Sequence, residues 1–586
     1  MADHDLVIRG GTVVDGTGAP PRLADVAVDG DRITAVGTVS GRGREEIDAA
    51  GLLVTPGFVD IHTHYDGQVT WDAYLTPSCW QGVTTAVMGN CGVGFAPVRP
   101  DKHEWLIALM EGVEDIPGTA LHEGIKWNWE SYPEYLDAVA GHPHAIDVAG
   151  QIPHAALRGY VMGDRGADHR EEPTAEEIER MGQLAADAIR SGALGFTTSR
   201  SVNHKDRDGN LTPSLTASAD ELLGIARAIG ETNEGVFEII TDFTDFDSEF
   251  ALLRAMSEES GRPMSITTLQ LGLHPPEHWS RLLRAIERAN SEGVALRGQV
   301  AARPVGLIMS IEGRVHPLLA APSYQAIAHL PLTERVARLG DSDLRHTIIG
   351  EMSATPTTMG PMNDWSNCFV IGQPANYAVR EADSIKARAE QLGVTPAEVA
   401  YDALMAFDGE GCIYVPVANF TDRNLDITRE MLVHPLTIPG LGDGGAHCTI
   451  ISDASFATFL LTHWARDAAP SERMPIEFVI QRQCADTARM VGLLDRGVVA
   501  PGYKADLNVI DFDNLSIGRP EMIYDLPANG KRLVQRATGY VATIVSGAVA
   551  FRDGEPTGSL RGQLVRGGQP APENQPGEYQ PGEYQQ

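Results

Sequence analysis

Residues 57–67 read GFVDIHTHYDG and place His62 and His64 directly after a short apolar run. Side chains alternate along a β-strand, so residues two positions apart point to the same face. Two imidazoles on one face can hold a divalent metal ion at about 2.1 Å each. The same pair would also suit the polar end of a strand. The stretch therefore predicts a buried strand that ends at a candidate metal site, with the polar strand end as the alternative.

Seven more runs of strand length follow, and helix-period segments lie between many of them. The runs are TTAVMGN, AIDVAGQI, GALGFTT, GVFEII, RPMSIT, VALRGQV and LTIPGLGD. One helical segment starts with Thr174 and Glu177 at the spacing of a capping box. Strands that alternate with helices predict an α/β fold of the (β/α)8 (TIM) barrel type. A doubly wound open sheet is the alternative, but no GxGxxG motif follows an early strand.

The two ends of the chain have a different texture from the middle. DLVIRGGTVVDGTG near the start, and GYKADLNVIDFD and GYVATIVSGAVAFRDGEP near the end, are short β-branched runs separated by tight turns. We expect residues 1–55 and 495–560 to form one small β-sandwich domain, with the barrel at 56–494. Two unrelated β appendages are the alternative. Residues 565–586, rich in Pro, Gly and Gln, are predicted to be a flexible tail.

Composition limits the classes of partner. The net charge is −33, which disfavours binding to phosphate backbones and anionic membranes. Six scattered cysteines indicate a reducing compartment, and no signal peptide or membrane-length apolar run is visible. We therefore expect a cytoplasmic protein that acts on a small molecule and binds neither nucleic acid nor a membrane. A homo-oligomer is left open.

Several blocks occur in an order that resembles a known family. They are TPGFVDIHTHYDG, SCWQGVTTAVMGNCGVGFAP, WNWESYPEYLDAV, SGALGFTTS, LGDGGAH and GVVAPGYKADLNVID. Together they resemble the amidohydrolase superfamily and, within it, the D-aminoacylase (N-acyl-D-amino-acid deacylase) branch, over most of residues 5–555. The resemblance implies a metal-dependent hydrolase of non-peptide C–N bonds, most simply an N-acyl-D-amino-acid deacylase. A cyclic amide or imide hydrolase, a decarboxylase and a non-catalytic binding protein are the alternatives.

The resemblance also assigns roles to individual residues. Cys91 matches the thiolate that this branch uses as a metal ligand. Asp443 matches an aspartate that contacts the metal and acts as the general base. Many amidohydrolases use a carboxylated lysine instead, but none of the six lysines of this chain lies in an apolar strand run.

The chain departs from the branch at two metal histidines, which are expected on the fifth and sixth strands. Ile240 stands near the first position, and Thr267 and Thr268 stand near the second. We therefore predict one zinc ion per chain, held by His62, His64, Cys91 and Asp443, with another divalent metal as the alternative. That list has enough ligands for one catalytic ion and a water.

Five further residues are candidates for contacts with a substrate that carries an amide and a carboxylate. Arg303 offers a guanidinium fork for the carboxylate, and Tyr324 is a weaker polar candidate. His154 matches a family block after the third strand. Asp242 shares a strand face with Glu238 and could reach the mouth of the barrel. His447, four residues after Asp443, could relay a proton or stabilise an oxyanion. For each of them, a purely structural role is the alternative.

Overall fold

The computed structural model of the chain describes residues 2–354 and 364–573. Its centre is a curled sheet of eight parallel strands in sequential order. The strands are Phe58–Asp60, Val83–Met88, Asp147–Pro153, Gly195–Arg200, Val236–Thr241, Met264–Thr267, Leu296–Val300 and Thr437–Pro439. Each of the eight overlaps one of the runs that the sequence predicts, and four of them extend one or two residues beyond it. The barrel prediction is confirmed.

Residues just beyond the first and last strands join the two edges of this sheet. The Asp443 amide donates to the His62 carbonyl at 3.1 Å, and the His64 amide donates to the Gly444 carbonyl at 2.8 Å. The barrel is thus closed at the carboxyl ends of its strands, where the candidate site residues lie.

Helices cover the outside of the barrel. Those before the seventh strand are His103–Glu114, Gly118–Gly124, Tyr132–Ala140, His154–Met162, Ala175–Ser191, Ala219–Gly230, Phe246–Ser260 and His278–Ser291. Those after the eighth strand are Phe456–Phe459, Ile476–Gln481 and Thr487–Met490. Wider helical turns at Leu460–Asp467 and Arg482–Asp486 continue the first of these helices and join the other two. The predicted capping box is present, because Thr174 accepts from the Glu177 amide and Glu177 accepts from the Thr174 amide.

A large insertion, which the strand pattern of the sequence does not predict, separates the seventh and eighth strands. It contains a three-stranded antiparallel sheet of Gly306–Met309, Cys412–Pro416 and Phe369–Ile371. Its helices are Pro322–Gln325, Leu332–Leu339, Ser342–Ala354, Ile385–Leu392, Pro396–Gly409 and Asp426–Val433. A separate apolar core that includes Leu318, Ile348 and Leu404 stabilises this insertion.

Both ends of the chain contribute to one nine-stranded sheet. Its strands are His4–Val13, Arg22–Asp29, Arg32–Gly37, Gly43–Asp48, Leu53–Pro56, Leu507–Ile510, Tyr540–Val545, Ala548–Arg552 and Glu555–Pro556. The central pair joins Leu507–Ile510 to Leu53–Pro56. Residues of both chain ends, such as Ile8 and Val509, share one apolar core. The prediction that the two termini meet in one β-structure is confirmed.

The rest of the C-terminal region packs on the barrel. Two separate antiparallel strand pairs lie outside the nine-stranded sheet. They are Ser516–Ile517 with Ala537–Thr538, and Glu521–Leu526 with Gly530–Val534. In the predicted flexible tail, 565–586, the first residues are hydrogen-bonded: the Val565 amide donates to Val148, and the Gln569 amide donates to Gly492. Regular pairing thus extends to Gln569, and 574–586 lie outside the described residues. In the part of the chain that is described, no helix is long and apolar enough to cross a membrane.

Candidate metal centre

His62 and His64 lie at the mouth of the barrel and are almost completely buried. Their ring centroids are 5.4 Å apart. Nε2 of His62 lies 3.4 Å from the sulfur of Cys91. The possible ligand atoms of these three residues all lie within 4.8 Å of one another, which is close enough for a single ion.

Cys91 reaches this position from a tight turn after the second strand. The turn, Asn90–Gly92, follows Gly89, and both Cys91 and Gly89 have positive φ values, of 55° and 87°. A Cβ on Gly89 would lie 2.1 Å from the carbonyl oxygen of Gln151, so only glycine fits there. A non-glycine residue held at positive φ costs free energy, and such strain concentrates at functional sites.

Asp443 approaches the two imidazoles from the end of the eighth strand. Its Oδ1 lies 3.3 Å from Nε2 of His62 and 3.7 Å from Nε2 of His64. Its φ of 46° is also positive. The next two residues must be glycines, since a Cβ on Gly444 would lie 2.4 Å from Ser78 Oγ, and one on Gly445 would lie 2.9 Å from the His64 carbonyl oxygen. The structure thus brings together all four residues that the sequence proposes as ligands.

A hydrogen bond from the seventh strand orients His62. Its Nδ1 lies 2.6 Å from Oε1 of Gln299. Nδ1 of His64 lies 3.4 Å from Oε1 of Glu114, at the end of helix His103–Glu114, but no hydrogen bond joins the two atoms. The partner on Nδ1 of His62 leaves its Nε2 available as a ligand, an arrangement typical of metal-binding histidines. Asp60 accepts a hydrogen bond from the His62 backbone amide at 3.1 Å.

Glu238, rather than the predicted Asp242, is the acidic residue of the fifth strand that reaches the site. It lies on the fifth strand, one pleat before Ile240, and points to the site: its Oε2 accepts from the Cys91 amide at 3.0 Å, and its Oε1 lies 3.9 Å from Nδ1 of His62. Strand periodicity gave this signal, because Glu238, Ile240 and Asp242 share a face.

The site is rich in buried acidic side chains. Burial, together with the charges of neighbouring acids, raises the pKa values of Cys91 and Glu114 well above their ordinary values. Burial also raises the pKa of Glu238, and neither its Oε1 nor that of Glu114 has a hydrogen-bond partner. Burying a carboxylate without a partner is costly, and a divalent cation would remove that cost. Buried acidic groups with two orphaned carboxylate oxygens therefore fit a metal ion.

His447 completes the mouth. Its Nε2 lies 3.9 Å from both Asp443 Oδ2 and Glu114 Oε2, and about a quarter of its side chain is exposed. Its backbone amide donates to the Glu114 carbonyl. The imidazole therefore lies beside Asp443 and in contact with solvent, where a substrate could reach it.

Arg303 is not placed as a substrate clamp. Its guanidinium is fully buried, lies 3.0 Å from Asp453 Oδ1 and stacks 3.6 Å from the ring centroid of Tyr377. It also donates to Ser452 O and Ser455 Oγ. These partners occupy the fork that a substrate carboxylate would need. The contacts therefore favour the structural ion pair, which is the alternative to the predicted substrate clamp.

Three other predicted substrate residues also have structural partners. His154 is fully buried, with Thr198 Oγ1 at 2.8 Å on one ring nitrogen and Glu221 Oε1 at 3.0 Å on the other. Tyr324 belongs to the core of the insertion, where its hydroxyl accepts from Arg335 at 3.0 Å. Asp242 accepts from the Val202 amide at 2.7 Å. None of these contacts directs the side chain to the metal cluster.

Comparisons with known proteins identify the family of the chain. A model of the amidohydrolase family matches residues 45–551. D-aminoacylase of Alcaligenes xylosoxydans xylosoxydans is 28% identical over 567 residues, which cover 96% of this chain and 97% of that protein. N-acyl-D-aspartate deacylase of the same organism is 25% identical and covers 98% of both chains.

A solved structure has the same architecture. It is a D-aminoacylase structure concerned with the functional role of that enzyme's binuclear metal centre, and it superimposes with a TM-score of 0.63 at 25% identity. The match covers 96% of this chain and 100% of that one. The chain therefore belongs to the amidohydrolase family, whose members hydrolyse C–N bonds other than peptide bonds, and its near full-length similarity is to the D-aminoacylase branch.

Proposed function

We propose that this amidohydrolase cleaves the amide bond of N-acyl-D-amino acids, with one divalent ion, most simply zinc, held by His62, His64, Cys91 and Asp443. The single observation that carries the proposal is the buried His62–His64–Cys91 cluster with Asp443 Oδ1 3.3 Å from His62 Nε2. The names of the relatives, D-aminoacylase and N-acyl-D-aspartate deacylase, support the substrate class and its configuration.

One ion is proposed because the chain lacks the two further histidines. The fifth and sixth strands present Ile240, Thr267 and Thr268 at those positions. The D-aminoacylase structure described above concerns one-metal activation and second-metal attenuation of that enzyme. A single ion is thus compatible with hydrolysis in this branch.

A bound zinc ion would polarise the scissile carbonyl and lower the pKa of the attacking water. Asp443 takes the proton from this water and passes it to the leaving nitrogen, so one carboxylate acts first as base and then as acid. Gln299 keeps the imidazole of His62 in the orientation that exposes Nε2. His447 borders the substrate position and can donate a hydrogen bond there.

The test is a mass-spectrometric screen of N-acetyl-D-amino acids, N-acetyl-L-amino acids and cyclic amides, with metal analysis of the same preparation. We expect a free D-amino acid plus acetate, and about one ion per chain. Asp443→Asn should retain fold and abolish turnover. A single product equal to substrate plus water, formed only from cyclic amides, would replace the deacylase by a cyclic amide hydrolase. Two full equivalents of metal would overturn the mononuclear site.

A further inference from the structure

A histidine outside the predicted set, His204, lies in a compact hairpin after the fourth barrel strand. Lys205 pairs with Leu211 across this hairpin, and the Thr212 amide donates to the His204 carbonyl at 2.9 Å. The His204 side chain is half-buried, unlike its exposed neighbours Asn203 and Lys205. The hairpin thus holds this imidazole against the protein.

Two glycines show where the hairpin lies. A Cβ on Gly112 would lie 2.1 Å from the Asp206 carbonyl carbon, so the hairpin backbone packs on helix His103–Glu114. Gly112 lies two residues before Glu114, whose carboxylate is close to His64. A Cβ on Gly92 would lie 2.8 Å from the backbone nitrogen of Ser199, so the strand end that leads into the hairpin packs on the Cys91 turn. The hairpin therefore borders the metal cluster on two sides.

Ser199 fixes the orientation of the ring. Its Oγ lies 2.8 Å from Nδ1 of His204, and the same oxygen accepts from the Ser201 amide at 3.4 Å. The Ser199 hydroxyl can donate its own proton to Nδ1, and in that tautomer the ring proton is on Nε2. Among the described residues, no hydrogen bond occupies this Nε2.

Burial favours the neutral form of this ring, because it lowers the pKa of His204 to about 3. A neutral imidazole with its proton on Nε2 is a hydrogen-bond donor at that nitrogen.

We propose that His204 is a substrate-contacting residue whose Nε2–H donates to the acyl oxygen of the scissile amide. This inference rests on the proposed function, because it needs an acyl group at the cluster. Negative charge develops on that oxygen in the transition state, so a preoriented donor stabilises the transition state more than the bound substrate.

The test compares His204→Ala and His204→Gln with wild type, and with His169→Ala as a matched control. His169 is half-buried, like His204, and contacts only Thr216 in the described hydrogen bonds. Readouts are kcat, KM, Tm, metal content and the Kd of a methylphosphonate analogue of an N-acetyl amino acid. We expect His204→Ala to lower kcat by about 10- to 100-fold with little change in KM, and to weaken phosphonate binding by at least tenfold. His204→Gln keeps a donor and should recover part of both losses.

Phosphonate binding separates this inference from the proposed function. If wild type cleaves no N-acyl amino acid but His204→Ala still weakens phosphonate binding tenfold, the oxygen contact stands and the substrate class is wrong. Equal Kd and equal kcat in wild type and His204→Ala would overturn the inference, as would a wild type that does not bind the phosphonate. If His204→Ala does not fold, Ser199→Ala decides: removal of the hydrogen bond that orients the ring should weaken phosphonate binding about threefold or more, and an unchanged Kd would overturn the inference.

Discussion

Nδ1 of His62 and Oε1 of Gln299 lie 2.6 Å apart, although 237 residues separate them in the chain. Oε1 can only accept, so the proton of the imidazole is on Nδ1 and the lone pair is on Nε2. Nε2 faces both Cys91 and Asp443. One amide on the seventh strand thus decides which nitrogen of His62 is available to a metal.

Gln299→Met should therefore weaken metal binding. It leaves Nδ1 of His62 without an acceptor, and loss of such a partner typically costs 10- to 100-fold in metal affinity. Gln299→Glu keeps the acceptor and should bind metal about as tightly as wild type. Competition with a chromophoric chelator measures both affinities. Equal affinities for Gln299→Met and wild type would contradict the role of this amide.

Cys91→Ala should reduce metal affinity by at least about 100-fold, because it removes one of the proposed ligands. Cys79→Ala is the matched control. Cys79 is also a buried cysteine, but it does not belong to the candidate metal cluster. Its replacement should lower Tm slightly through lost packing and leave the metal bound. Full metal occupancy in Cys91→Ala, measured by elemental analysis after dialysis, would rule out the thiolate as a ligand.

Arg303→Met should destabilise the fold by about 3–5 kcal/mol, because it leaves Asp453 buried without its cation. Both side chains are only about 1% exposed. Arg345→Met is the control, since Arg345 and Asp402 form an exposed pair that contributes about 1 kcal/mol or less. Chemical denaturation measures the free energy of unfolding. A stable Arg303→Met variant with a strongly raised KM would restore Arg303 as the substrate clamp.

His154 should make stability depend on pH. Burial lowers its pKa, although Glu221 opposes the shift, so the folded protein keeps this ring neutral below the ordinary pKa of 6.5. The unfolded chain then binds a proton that the folded chain does not. Stability is complete above pH 6.5 and falls as the pH drops below it, by up to about 1.4 kcal/mol per pH unit.

His154→Gln should be less stable at pH 7.5 but less sensitive to acid. Denaturation curves from pH 7.5 to 5 should therefore converge for the variant and wild type. Parallel curves across this range would mean that His154 does not contribute to acid sensitivity.

The barrel and most of the metal cluster could be predicted from the sequence. GFVDIHTHYDG contains an apolar strand and the two histidines, His62 and His64, that share one face. Both features can be predicted from the local periodicity of the sequence. Cys91 and Asp443 were found because each lies in a short motif that resembles the family. The roles of Arg303, His154 and Tyr324 were not predictable in this way, because each depends on which distant side chain, Asp453, Glu221 or Arg335, occupies its polar atoms.

The sequence by itself determined the barrel, the joining of the two termini and the residues of the candidate metal cluster, because hydrophobic period and contiguous motifs are local properties of a chain. Only the tertiary structure decided that Gln299 orients His62, that Glu238 rather than Asp242 faces the site, and that the hairpin of His204 borders it. These are contacts between residues far apart in sequence, so they exist only when barrel closure brings the ends of different strands within a few ångströms of one another.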